Sequence, residues 1–156
     1  MKKWVLYLVL VAAIPILGFG GFGGEDVGKL NPVQVMMVTQ DKNGVRILTD
    51  SGQKGQGQNG TEAVECLKKT ASSNIFLDTA EYLLLEPGTE RWLFQFREYL
   101  RPSCSVCYVL GSVDLQEAAN YLQLHQDNVN LARYEAGETQ LLTLIYHEGR
   151  MTLVRS

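Results

Sequence analysis

Hydrophobic and polar positions divide the chain into an apolar leader followed by short segments of alternating period. Lys2 and Lys3 precede an uncharged run from Trp4 to Gly24, densest in apolar side chains at Trp4, Leu6, Leu8, Leu10, Ile14 and Leu17, and Glu25-Asp26 ends it. Positive charges ahead of an apolar run hold the N-terminus on the cytoplasmic side. Residues 1–24 are therefore expected to be a signal peptide or an N-terminal membrane anchor, and residues 25–156 a single domain outside the cytoplasm. The apolar core has signal-peptide length, whereas the whole uncharged run is long enough to span a bilayer. No Ala-x-Ala triplet precedes Glu25, so retention as an anchor is preferred and secretion after cleavage is the alternative.

Beyond the leader, Val33 to Thr39 and Val45 to Thr49 are β-rich runs joined by Asp41-Lys42-Asn43-Gly44, and Asn-Gly supplies the positive φ angles of a tight hairpin. Ser51 to Gly60 has no apolar side chain, which predicts a mobile loop outside the core. Thr61 is the expected cap of a helix whose stripe is Ala63, Val64, Cys66, Leu67 and Ala71. Tyr82 to Leu85 predicts a strand buried on both faces, ended by Pro87-Gly88. Trp92, Leu93, Phe96, Tyr99 and Leu100 recur with helical spacing after Thr89, and Pro102 stops that helix. Ser105 to Leu110 reads as a strand. Asp114 with Glu117 caps a third helix, buried through Leu115, Ala118, Ala119 and Leu122, and residues 140–154 read as a closing hairpin. Strands and helices mixed in this order predict an α+β fold, a mixed sheet packed with three helices.

Composition narrows the chemistry. With 46% hydrophobic and 20% charged residues the chain is an ordinary globular sequence. Its net charge of −3, or −5 without Lys2 and Lys3, argues against nucleic acid as a partner, because phosphate contacts need clustered Lys and Arg. Three cysteines, Cys66, Cys104 and Cys107, leave at least one unpaired and do not form the framework of a disulfide-stapled module. Cys104-Ser-Val-Cys107 has redox-motif spacing, but strand-like sequence follows it where a thioredoxin-like motif needs a helix; pairing of the two is left open. His125 and His147 stand at spacings unrelated to the cysteines, which gives no zinc pattern.

Gly55-Gln-Gly57-Gln-Asn-Gly60 matches G-x-G-x-x-G, with Asp78 eighteen residues downstream. That fingerprint requires its first glycine directly after a buried parallel strand. Here the preceding strand belongs to a hairpin, so the segment reads as a polar surface loop. Its residues Gly52, Lys54, Gly55, Gly57, Asn59 and Gly60 are the candidate interaction loop. Asn59-Gly-Thr61 is also a glycosylation sequon, relevant only in a eukaryotic secretory pathway. No P-loop and no nucleophile elbow occurs, and the sequence nominates no catalytic, cofactor-binding or metal-ligating residue.

From Leu30 to about Gln126 the chain resembles the N-terminal domain of the Ger(x)C family, the C subunits of spore germinant receptors. The stretches that carry the resemblance are Asn31 to Val38 with Asp41, Thr61 to Leu67 after the Gly-rich segment, Ile75 to Leu85, Phe94 to Arg101, Val106 to Leu110, and Asp114 to Ala118. The chain departs from the family in having Gly24-Glu25 where a lipobox cysteine is usual, in Asp78-Thr79 where a Gly-His pair is usual, and in lacking the later domains. The resemblance implies a non-enzymatic, membrane-attached protein on the outer face of the spore inner membrane, working beside polytopic receptor subunits in assembly or nutrient sensing. The residues by themselves leave two rivals: a stand-alone extracytoplasmic module that binds a small ligand under the Gly-rich loop as a flexible lid, and an exported enzyme of unknown reaction.

Overall fold

Four strands rich in apolar side chains lie side by side and parallel at the centre of the molecule. The structure, a computed structural model, describes residues 30–42, 44–125, 129–138 and 140–155. Its strands are β1 (Leu30–Pro32), β2 (Val35–Asp41), β3 (Gly44–Thr49), β4 (Lys54–Gly57), β5 (Asn74–Phe76), β6 (Tyr82–Leu85), β7 (Ser105–Leu110), β8 (Val129–Asn130), β9 (Leu142–His147) and β10 (Arg150–Arg155). Its α-helices are α1 (Gly60–Thr70), α2 (Leu93–Phe96), α3 (Leu115–Gln123) and α4 (Leu131–Glu135). β2, β6, β7 and β9 form the parallel centre. Antiparallel strands extend it at both ends, in the order β10-β9-β7-β6-β2-β3-β4, and β8 pairs with the start of β7. With β1 and β5 as a separate parallel pair, this is the expected α+β fold: an eight-stranded mixed sheet packed with helices.

Parallel strands are stable when both faces are covered, and the sequence of β6 meets that requirement residue by residue. Leu83 and Leu85 enter the core under α1, α2 and α4, with Met36, Ile47, Leu67, Phe96 and Leu131. Leu84 enters the opposite core, under α3, with Val35, Met37, Cys107, Val109 and Leu144. All three leucines are fully buried, each worth about 1.5–3 kcal/mol of apolar transfer. On α3, Ala118 and Ala119 lie fully buried beside Leu122, small side chains that let the helix settle close to the sheet.

Local signals account for most boundaries. Asp114 caps α3 as expected, its Oδ1 accepting from the N–H groups of Gln116 and Glu117, both at 2.9 Å. The cap of α1 is Asn59 rather than the expected Thr61: Asn59 Oδ1 accepts from Glu62 N at 2.9 Å, and Glu62 Oε2 accepts from Gln58 N at 3.0 Å. The expected helix after Thr89 is broken into a 3-10 turn at Glu90–Trp92, the single turn α2, and further turns to Leu100. The reason lies at its start, where the Thr89 hydroxyl donates backwards to the Glu86 carbonyl at 2.7 Å and caps nothing. The buried stripe survives, since Trp92, Leu93, Phe96 and Leu100 all reach the core. β1, β5, β8 and α4 span two to five residues each, too few for a periodic pattern to register.

The closing hairpin turns on Glu148 (φ 49°) and Gly149 (φ 76°), the double positive φ of a type I′ turn. Glutamate is a poor occupant of that region. Replacing Glu148 with asparagine is expected to raise the unfolding free energy by up to about 1 kcal/mol, read as a higher urea midpoint with an unchanged slope.

Candidate functional site

The Gly-rich segment has a different role from the one its composition suggests. Gly52 (φ 77°) sits at an open turn, but Lys54–Gly57 form β4, in register with β3 through Leu48↔Lys54, Ile47↔Gly55, Arg46↔Gln56 and Val45↔Gly57. This corrects the expectation of a mobile loop outside the core. Gly55 is buried beneath α1, where a Cβ would meet the Ala63 carbonyl oxygen, Leu67 Cβ at 2.6 Å and Leu67 N at 2.8 Å. At Gly57 a Cβ would stand 2.6 Å from Ala63 N. The glycines let the helix lie directly on the strand, and the Thr70 hydroxyl, which donates to the Cys66 carbonyl at 2.8 Å, also lies 3.2 Å from the Lys54 carbonyl. Asn59 is spent on the helix cap, and Gly60 donates its N–H to Gln95 Oε1 at 2.5 Å.

What this end of the sheet offers is a shallow groove of about 380 Å³ lined by Arg46, Leu48, Lys54, Gly55, Gln56 and Cys66. Asp41 Oδ2 already accepts from the Arg46 guanidinium at 2.7 Å and from Gln56 Nε2 at 2.5 Å. The Lys42 backbone N–H, at 2.6 Å, and the Arg46 guanidinium hold the Asp41 carboxyl below the usual range. A second cleft, of about 330 Å³, lies among Lys68, Ile75, Phe76, Asp78, Glu98 and Tyr99, with Lys68 Nζ 4.8 Å from the centre of the Tyr99 ring. It mixes charges of both signs with apolar walls, and no sequence pattern marks it because its residues come from three separated stretches.

The thiols are placed for packing. Cys104 belongs to the core under α1 and α2, and Cys107 to the core under α3, so the sheet stands between them and both are free. Burial pushes each thiol up to about 12, whereas thiolate chemistry near neutral pH requires the opposite shift. Cys66, half-buried beside the groove, is expected to react first with a maleimide in the native protein, with Cys104 and Cys107 reacting only on unfolding. Both buried thiols hold their protons in the folded state where an unfolded thiol releases its own. Stability is therefore expected to be intact below about pH 8.5 and to fall as pH rises towards 12, measured by chemical denaturation across that window.

At the carboxyl ends of the parallel strands, burial and then the hydrogen bond to Glu90 push the Tyr108 phenol up to about 12, so it stays protonated. His125 Nδ1 lies 2.8 Å from the Tyr121 carbonyl, its ring stacked on Tyr121. His147 ends β9 on the surface. Among the described residues no three His, Cys, Asp or Glu side chains gather as a metal site.

The far end of the sheet is open. Among the described residues β10 pairs only with β9, and Leu110 (44% exposed) and Val154 (46% exposed) lie on the face shared with Ile145 and Thr152. The sequence pattern of β10 does not distinguish it from a paired strand.

The anchor residues Trp4, Leu6, Leu8, Leu10, Ile14 and Leu17 lie outside the described residues, among which no helix is long and apolar enough to cross a membrane. Comparison with protein-family models, with curated proteins and with solved structures finds no match.

Proposed function

We propose that the chain is a membrane-attached, extracytoplasmic and non-enzymatic module of a spore germination receptor-like complex, acting in assembly or nutrient sensing beside polytopic subunits. The observation that carries this reading is colinearity. The stretches that resemble the Ger(x)C domain fall in order along the chain, on β2, α1, β6, around α2, on β7 and at the start of α3, with the remainder on the separate pair β1 and β5. The leader, with Lys2 and Lys3 ahead of its apolar run, supplies the export and attachment that such a role requires. Deleting the gene in a spore former is expected to slow or abolish germination with at least one nutrient. Unchanged germination with every nutrient tested overturns the proposal.

A second reading, small-ligand binding, attaches to the cleft at Lys68, Asp78, Glu98 and Tyr99 rather than to the Gly-rich segment, because that cleft combines both signs of charge with apolar walls. Thermal-shift titration with free amino acids tests it. A rise in melting temperature that disappears in Lys68→Ala supports the reading, and no shift at millimolar concentration removes it.

A further inference from the structure

The two ends of the large sheet are finished differently. At β4 the helix α1 lies against the strand, with the Thr70 hydroxyl 3.2 Å from the Lys54 carbonyl. At β10 no strand among the described residues pairs with the outer edge. β10 is six residues long, regular in register from Arg150↔His147 to Arg155↔Leu142, and free of proline. Because a two-residue turn makes the flanking pair His147 and Arg150 hydrogen-bonded, Arg150, Thr152 and Val154 direct their backbone groups to β9. Met151, Leu153 and Arg155 direct theirs outwards. An edge of this kind is a template for another strand.

We propose that this edge pairs with β10 of a second copy of the chain, antiparallel about a twofold axis normal to the sheet and centred on Thr152. Directly opposed residues of an antiparallel pair share one face of the sheet, so a symmetric pairing that keeps each face continuous opposes residues whose numbers sum to an even value. This excludes the register that sets Arg150 against Arg155 of the other copy. Centring on Thr152 sets Met151 against Leu153 on one face. On the other it sets Thr152 against itself and Arg150 against Val154, whose exposed side chain the arginine stem then covers. It also brings Arg155 opposite Gly149, beside the turn that carries Glu148, so opposite charges meet at both ends of the paired strands. That complementarity favours a second copy over an unrelated strand. The row Leu110, Ile145, Thr152 then continues across the axis into its own image.

Thr152 and its mate form a non-hydrogen-bonded pair, whose Cα separation of about 4.5 Å suits a disulfide. In the full chain carrying Cys66→Ser, mild oxidation of Thr152→Cys is expected to give a covalent dimer. Arg150→Cys and Val154→Cys alone stay at background, and a mixture of the two cross-links. Thr152 is exposed, so the fold tolerates charge there: Thr152→Lys and Thr152→Glu are each expected to weaken self-association about fivefold in sedimentation, like charges being opposed across the axis, and their mixture to restore it. Folded Thr152→Cys that stays monomeric, cross-linking of Val154→Cys with itself, or sedimentation of the unmodified chain as a monomer at every concentration overturns the proposal.

Discussion

Replacing Gly55 with alanine is expected to lower the unfolding free energy by about 3 kcal/mol, at the upper end of what overpacking costs. The added methyl would meet the Ala63 carbonyl, Leu67 Cβ and Leu67 N. Two of these are backbone atoms of α1 and cannot swing aside, so β4 and the helix must separate. That movement loosens Ala63, Val64 and Leu67, all at 1% exposure or less. In a mobile loop the same substitution would stabilise by about 0.4–1 kcal/mol through the unfolded chain, so the sign of the change separates the two descriptions. Gln58→Ala, at an exposed position next to the strand, serves as the control and should stay within about 0.5 kcal/mol. Urea denaturation of both variants gives the comparison.

Phe96→Ala is expected to cost about 4 kcal/mol. Phe96 is fully buried, the largest side chain of its core to be so, and its ring lies where a Cβ on Gly60 would approach within 3.0 Å. It thus fixes α2 against the start of α1, next to the bond from Gly60 N to Gln95 Oε1. A helix of one turn has little stability of its own, so Phe96, together with the buried Trp92, Leu93 and Leu100, holds the segment from Glu90 to Leu100 on the sheet. A loss below about 1 kcal/mol would mean that the segment is held by something else.

Much of this fold was legible in the sequence because its signals are local or periodic. The leucine run of β6, the Asp114 cap, the stripe of α3 and the closing hairpin each follow from spacing within a few residues. The Gly-rich segment misled for a physical reason: a strand whose inner positions are glycine shows no apolar alternation, since its packing surface is the backbone itself. The Thr89 helix misled because a hydroxyl that is able to cap a helix also bonds backwards to Glu86. The clefts were invisible, as they join residues such as Lys68, Asp78 and Glu98 that no short-range pattern relates. The separation of Cys104 and Cys107 could have been read from strand alternation, because residues three apart face opposite sides.

The proposed function requires a folded domain held at the outer face of a membrane. Its most direct test places a cysteine at Gln123, exposed at the end of α3, in a Cys66→Ser chain, and labels intact protoplasts with a membrane-impermeant maleimide. The expected result is labelling before lysis, on protein that sediments with the membranes. Labelling only after lysis, on protein recovered from the cytosol, would contradict the account.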